Sequence, residues 1–208
     1  MRHTLRTAIV GATLLALSGC VADVTAPPIP PKVSEIIHYW HFNNLPAGTL
    51  TTVQADFTRL SGTITYPGTG AGYMDNVDPG ASVNLQMGQP AGLGLRPRNP
   101  ANTRELLIVT PSTGFTKIVV SFAVMRSSSG APQEIFEYST NGGTTWTQVG
   151  NAYDIPLDFE RRTFDLSTID ALNNNANLRF RIRFVGAGAD GSSGNNRFDN
   201  IVIEGIPL

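Results

Sequence analysis

The sequence predicts an all-β protein, an antiparallel β-sandwich, on three observations. Apolar residues recur at every second position along most of the chain, the period of a strand whose two faces meet different surroundings. The 21 glycines and 14 prolines among 208 residues are too few for a collagen or a wholly disordered chain, and they mark many turns between short elements, which disfavours a helical bundle. Candidate strands follow one another at turn-punctuated intervals, as in sandwiches and barrels. The formal net charge of −1 supplies no field that would draw in nucleic acid or an anionic membrane surface, so no DNA-binding role is expected.

The first element is not part of that fold. Arg2, His3 and Arg6 form a basic start, residues 8–17 are apolar, and Ser18 and Gly19 lead to Cys20. Spanning a hydrocarbon core of about 30 Å takes roughly 20 helical residues, so this shorter run reads as a secretory signal. Cys20 is the sole cysteine and can form neither an internal disulfide nor a thiolate cluster. Leu17-Ser18-Gly19-Cys20 resembles the bacterial lipobox. The resemblance implies a lipoprotein signal peptide over 1–19, cleavage before Cys20, and a diacylglycerol on its thiol; the alternative is an unmodified, buried cysteine behind an ordinary signal. Val21 and Ala22 follow, and the similarity to lipoproteins without aspartate at that point implies the outer membrane. Removing Arg2 and Arg6 from the 15 basic residues leaves 13 against 16 acidic ones, a net charge of −3. Residues 20–36 then comprise the lipidated cysteine and a linker in which Pro27, Pro28, Pro30 and Pro31 favour an extended spacer. No second linker of this kind follows, and 37–208 is expected to be one domain.

Within the domain, Ile118–Met125 is β-branched and apolar on both faces, the pattern of a central strand covered on both sides. Leu178–Phe184 alternates without error, with Phe180, Ile182 and Phe184 directed to the core and Arg179, Arg181 and Arg183 away from it. Further strands are expected at Tyr39–Phe42, Arg59–Tyr66, Ser82–Gln86, Glu105–Val109, Gln133–Tyr138, Thr145–Val149, Glu160–Asp165 and Asn200–Glu204. One helical turn is expected at Ser167–Leu172, with Ser167 and Asp170 as a capping box.

Asn141-Gly142 is a strong signal for a tight primed turn, because both residue types tolerate positive φ. Ser139, Asn141, Gly143 and Trp146 resemble the Asp-box of sialidases and of reelin-type jelly rolls, with Asn141 in the aspartate position. The resemblance implies a structural role, in which the side chain at 141 holds turn amides and the tryptophan packs beneath. A sialidase propeller would need several such boxes and about twice the length. The order of hairpin, Asn177–Ile182 and Phe198–Gly205 resembles reelin-type and carbohydrate-binding-module-like β-jelly rolls over roughly 105–205. That likeness implies a structural calcium where the first strand meets the closing aspartate, with Asp199 as ligand and Asn43 or Asn44 as partner. Alternatively Asp199 hydrogen-bonds turn amides.

Other chemistry is sparse. His38 and His41 fall on opposite faces of a strand and cannot share a metal; Trp40 and Phe42 are expected in the core and His41 exposed. HExxH and GxSxG signatures are absent. Glu134 and Glu137 occupy opposite strand faces, and Asp75, Asp78, Asp154 and Asp158 are expected in loops. Arg179, Arg181 and Arg183 repeat along one strand face and suit an acidic glycan, unless they pair with Glu160, Asp165 or Glu137. The Gly/Ser segment 186–196 is expected to be a flexible tip unless calcium or a sugar orders it through Asp190, Asn195 or Asn196. Tyr66, Tyr73 and Tyr153 are the candidate sugar platforms. Three functions compete: a lipid-anchored, non-catalytic binding module for carbohydrate or another surface polymer; an adhesion module contacting an envelope protein; and a glycan-acting enzyme, disfavoured by the lack of an aromatic-and-carboxylate cluster at strand spacing.

Overall fold

The computed structural model describes residues 31–208. The signal peptide, Cys20 and three of the four spacer prolines lie outside the described residues. Strands follow in chain order as β1 (Glu35–Trp40), β2 (Thr52–Gln54), β3 (Phe57–Thr58), β4 (Thr63–Thr65), β5 (Met74–Val77), β6 (Gly94–Pro97), β7 (Glu105–Val109), β8 (Phe115–Arg126), β9 (Gln133–Ser139), β10 (Thr147–Gln148), β11 (Tyr153–Asp154), β12 (Glu160–Asp165), β13 (Arg179–Val185) and β14 (Asn196–Pro207). They form two antiparallel sheets. The first has the order β12-β8-β14-β1-β3, with β6 beside the start of β14 and β5 beside β6; the second has the order β10-β9-β13-β7-β4-β2, with β11 on β9. From β7 to β9 and again from β12 to β14 the chain changes sheet at each step, which gives the β-sandwich its jelly-roll character.

The period of two places the core as the sequence requires. Phe180, Ile182 and Phe184 of β13 are buried while the arginines between them are half-buried. Facing them across the sandwich are Phe122 of β8, Phe164 of β12 and Phe198 of β14, and the ring of Phe136 on β9 stacks on Phe164 with centroids 4.0 Å apart. Aromatic rings of this kind dominate core energetics because each removes a large area from water. Strand β12 forms an edge of its sheet and carries Glu160, Arg161 and Arg162, charges that discourage pairing with another chain.

Several expectations are corrected. Ser82–Gln86 is not a strand. It belongs to a strap over 78–93 that crosses the outer face of the first sheet and is held by side chains: Asn200 donates to the carbonyls of Ala81 and Val83, and Asn84 donates to Asn200 O and Ser121 Oγ. This strap is what covers β8 on its second face, where Ser121 and Ala123 are buried. The stretch Arg59–Tyr66 starts with loop and contains only β4. Strands β2, β3, β5, β6 and β11 carry no signal in the sequence, since runs of two to four residues show too little alternation to register. The hairpin between β9 and β10 is not a two-residue turn: Tyr138 pairs with Thr147, and the positive φ values fall on Gly142 and Gly143. The helical turn is a 3-10 turn at Asp170–Leu172 without a side-chain cap; Asp165, not Ser167, supplies the local hydrogen bond, accepting from the Ser167 amide at 3.0 Å.

Candidate functional site

The chain segments flanking β4 and β5 build an open trough. Leu50 bridges to Met74 across the gap between the sheets, and the hollow so formed, about 510 Å³, is walled by Thr49, Thr51, Thr65, Tyr66, Tyr73 and Arg104. Its depth depends on Gly72: a Cβ there would lie 2.3 Å from the Pro100 carbonyl oxygen and 2.8 Å from that of Arg98, so only glycine lets the two segments approach. Tyr73 remains 39% exposed, while Tyr66 is 7% exposed. Arg104 crosses the trough, donating from Nη1 to Tyr66 O and from Nη2 to Gly70 O at 2.8 Å each, with its guanidinium 5.3 Å from the Tyr66 ring. The Arg98 guanidinium lies 5.3 Å from the centroid of the Tyr73 ring. A second hollow of about 430 Å³ shares Pro67 and Arg104 and runs on to Glu105 and Arg183. An exposed ring, a row of threonine hydroxyls and fixed guanidinium groups can stack on a sugar face and hydrogen-bond its hydroxyls.

The arginine stripe of β13 lies beside this second hollow and is largely neutralised. Glu137, opposite Arg181 in the register, accepts from Arg181 Nε at 2.6 Å and from Arg183 Nε at 2.7 Å, and Arg181 also pairs with Glu105 at 3.0 Å. Burial pushes the Glu137 carboxyl up, but hydrogen bonds from Arg183 and Arg181 outweigh it and hold the group below the ordinary carboxylate range. Glu160 and Asp165, named as alternative partners, stand on β12 in the other sheet; Glu105 takes that place instead. Arg179 has no carboxylate within ion-pair distance among the described residues. It lies against the β9–β10 turn, where a Cβ on Gly143 would stand 3.5 Å from Arg179 Nη1 and 3.4 Å from the Trp146 ring.

In that turn Ser139 Oγ accepts from the amides of Asn141 and Gly143, and Asn141 Oδ1 accepts from the Thr145 amide at 3.0 Å. Trp146 is half-buried, with the Arg181 guanidinium 4.4 Å from its ring centroid.

Asp199 is buried inside β14 rather than ahead of it, at a bulge where Asn200 has φ 49°. Its Oδ2 accepts from the Ala81 amide at 2.6 Å and its Oδ1 from the Asn200 amide at 2.7 Å. Burial pushes this carboxyl up to about 7. The Asn43 carboxamide spans Leu93 N and Pro90 O, and Asn44 is exposed. Calcium needs six to eight oxygens, whereas the oxygens of Asp199 are directed at amides. Among the described residues no three His, Cys, Asp or Glu side chains are grouped to hold a metal. This donor set fits a hydrogen-bonded junction between strap and strand, not a cation cage.

Elsewhere, His41 is buried, not exposed, with Nε2 3.5 Å from Asp56. His38 lies on the other face, its Nε2 donating to Pro111 O, and burial lowers its basicity. Segment 186–196 is tied down by Asn99, whose Nδ2 faces the carbonyls of Ser129, Gly188 and Ser193 at 2.7 to 3.1 Å; Asn195 and Asn196 are buried and Asp190 is exposed. Asp75 and Asp154 lie in β5 and β11, not in loops. The sequence did not mark Glu134 out: it is fully buried, receiving hydrogen bonds from Asn196 Nδ2 at 2.8 Å and Tyr153 Oη at 3.0 Å. Tyr153 is thereby tied to the interior, and of the two candidate platforms that line the trough, Tyr66 is buried and Tyr73 exposed.

No family model matches the chain, and no curated protein matches it by sequence. Among solved structures, the fold is similar to the CBM22-1 xylan-binding domain of Xyn10C from Paenibacillus barcinonensis, with 12% identity, a TM-score of 0.52, and 86% of this chain and 99% of that one covered. It is likewise similar to the CBM22-1-CBM22-2 tandem domain of the same protein, at 11% identity and a TM-score of 0.52, covering 87% of this chain and 48% of that one. At these identities the likeness is one of fold.

Proposed function

We propose that the chain is a lipid-anchored, non-catalytic carbohydrate-binding module of the cell envelope. The observation that carries the reading is Tyr73, exposed in a trough whose other walls are threonine hydroxyls and the Arg104 guanidinium. The sandwich fold shared with a xylan-binding domain supports it, as does the Leu17-Ser18-Gly19-Cys20 signal for the anchor. A non-catalytic role is supported by the acid-base inventory of the two hollows: among the described residues Glu105 is the one carboxylate lining them, and it is paired to Arg181, whereas glycoside hydrolysis uses two carboxyl groups flanking the bond.

A glycan array run with calcium in one arm and a chelator in the other tests the reading. Binding in both arms is expected, with Tyr73→Ala weakening it about 5- to 30-fold; stacking on an aromatic ring and the area it buries account for a loss of about 1 to 2 kcal/mol. Absence of binding in either arm would overturn it in favour of the adhesion module. For the anchor, labelled fatty acid should enter the wild-type chain and be lost from Cys20→Ala.

A further inference from the structure

The outer face of the first sheet carries a group of arginines that the fold does not explain. Leu95 pairs with Phe198 and Arg98 with Asn195, so the same antiparallel register sets Arg96 directly opposite Arg197. Like charges opposite one another in a sheet are destabilising. One carboxylate serves the group: Asp75 accepts from Arg96 at 2.8 and 2.9 Å and from Arg98 at 2.9 Å. Arg197 has only the Asn195 carboxamide, at 3.0 Å, and no carboxylate partner among the described residues. Three guanidinium groups against one carboxylate leave a local excess of positive charge on this face. Burial, and then the charges of Arg96 and Arg98, lower Arg197 below the ordinary arginine value. Arg98 links this patch to the trough, because its guanidinium stands over the ring of Tyr73.

We infer that Arg96, Arg98 and Arg197 form an anion subsite that receives the carboxylate or sulfate of an acidic polysaccharide whose sugar ring stacks on Tyr73. The planar guanidinium fork fits both oxyanions, and an anion there would relieve the repulsion that the register imposes. The inference rests on the carbohydrate-binding reading above and names the substrate class of that site.

The test is affinity electrophoresis of the full chain in mild detergent through polygalacturonate, its fully methyl-esterified form, dextran sulfate and dextran. Charged polymers are expected to retard the protein at least tenfold more strongly than their neutral counterparts. Arg197→Gln should abolish that preference, leave binding to the esterified polymer unchanged, and keep or raise the melting temperature. Retardation by polygalacturonate alone identifies the carboxylate as the ligand, and by dextran sulfate alone the sulfate. Equal binding of charged and neutral polymers that remains sensitive to Tyr73→Ala overturns the subsite and leaves the carbohydrate reading standing. An undiminished charge preference in a folded Arg197→Gln protein overturns it too. If Arg197→Gln melts much earlier than wild type, Arg197→Lys decides: it keeps the charge and loses the fork, so a loss of several-fold is expected and no loss overturns the assignment. Failure of the wild type to bind any of the four polymers, or any glycan on the array, overturns both readings together.

Discussion

Glu134 shows how much a single buried carboxyl can govern. Burial pushes it up to about 8, although hydrogen bonds from Asn196 and Tyr153 and the charge of Arg162 act in the opposite direction. An acid whose folded value exceeds its ordinary 4.5 binds more protons in the folded state, so its contribution is complete below about 4.5 and is lost as pH rises through 8. Glu134→Gln is therefore expected to melt above the wild type at pH 8.5 and to show a flatter dependence between pH 5 and 8.5. At about 2 to 4 °C per kcal/mol for a chain of this size, calorimetry at both pH values resolves the difference. Nothing in Gln133-Glu134-Ile135 distinguishes this glutamate from Glu137, which is buried on the opposite face beneath Arg181 and Arg183. The period of two places them on opposite faces; partners distant in sequence then decide their chemistry, neutral Asn196 and Tyr153 for Glu134 and two arginines for Glu137.

At the scale of elements, long alternating strands were legible and short ones were not. The expected bounds Glu105–Val109 and Glu160–Asp165 coincide with β7 and β12, because polar and apolar residues there meet distinct sides. Ser82–Gln86 has strand-like alternation, but the strap's hydrogen bonds run to the backbone and side chain of Asn200, more than a hundred residues away. For the same reason the partners of Arg181 and Arg183 could be guessed only in part: facing direction follows from the period, but which strand lies alongside depends on topology. The strap hangs on Asn200, which joins Ala81 O, Val83 O and the Tyr39 hydroxyl. Asn200→Ala strands these buried groups, each worth about 1 to 3 kcal/mol when unsatisfied. Urea unfolding should show a loss of about 3 kcal/mol or more, and limited proteolysis should begin between Leu85 and Gln89.

For the whole molecule, the two sheets adhere through phenylalanine. Phe136→Ala, at the centre of the stack with Phe164 and Phe180, should cost about 3 to 5 kcal/mol, read as a fall in the denaturant midpoint at constant slope. The pH profile of stability combines carboxyl groups of opposite tendency with His38, whose burial lowers its basicity and so costs stability as pH falls below 6.5, a smaller effect than that of the two raised carboxyls. Burial moves Glu134 and Asp199 up, to about 8 and about 7, so their share declines as pH rises through neutrality. Burial also raises Asp75 and Glu137, but arginine hydrogen bonds outweigh it and hold both low, so their share is lost only when pH falls through those lowered values. The melting temperature is thus expected to peak near pH 4 to 5 and to decline toward pH 8.5; a maximum above pH 7 would contradict the burial of Glu134 and Asp199. The pairing of β1 with β14 sets Glu35 beside Gly205, whereas Arg197 stands at the other end of β14, eight residues or roughly 27 Å away at about 3.4 Å per residue. The chain thus enters the first sheet at one end of β14, and the arginines stand at the other, so length added or removed at Glu35 leaves the proposed anion subsite a full strand away.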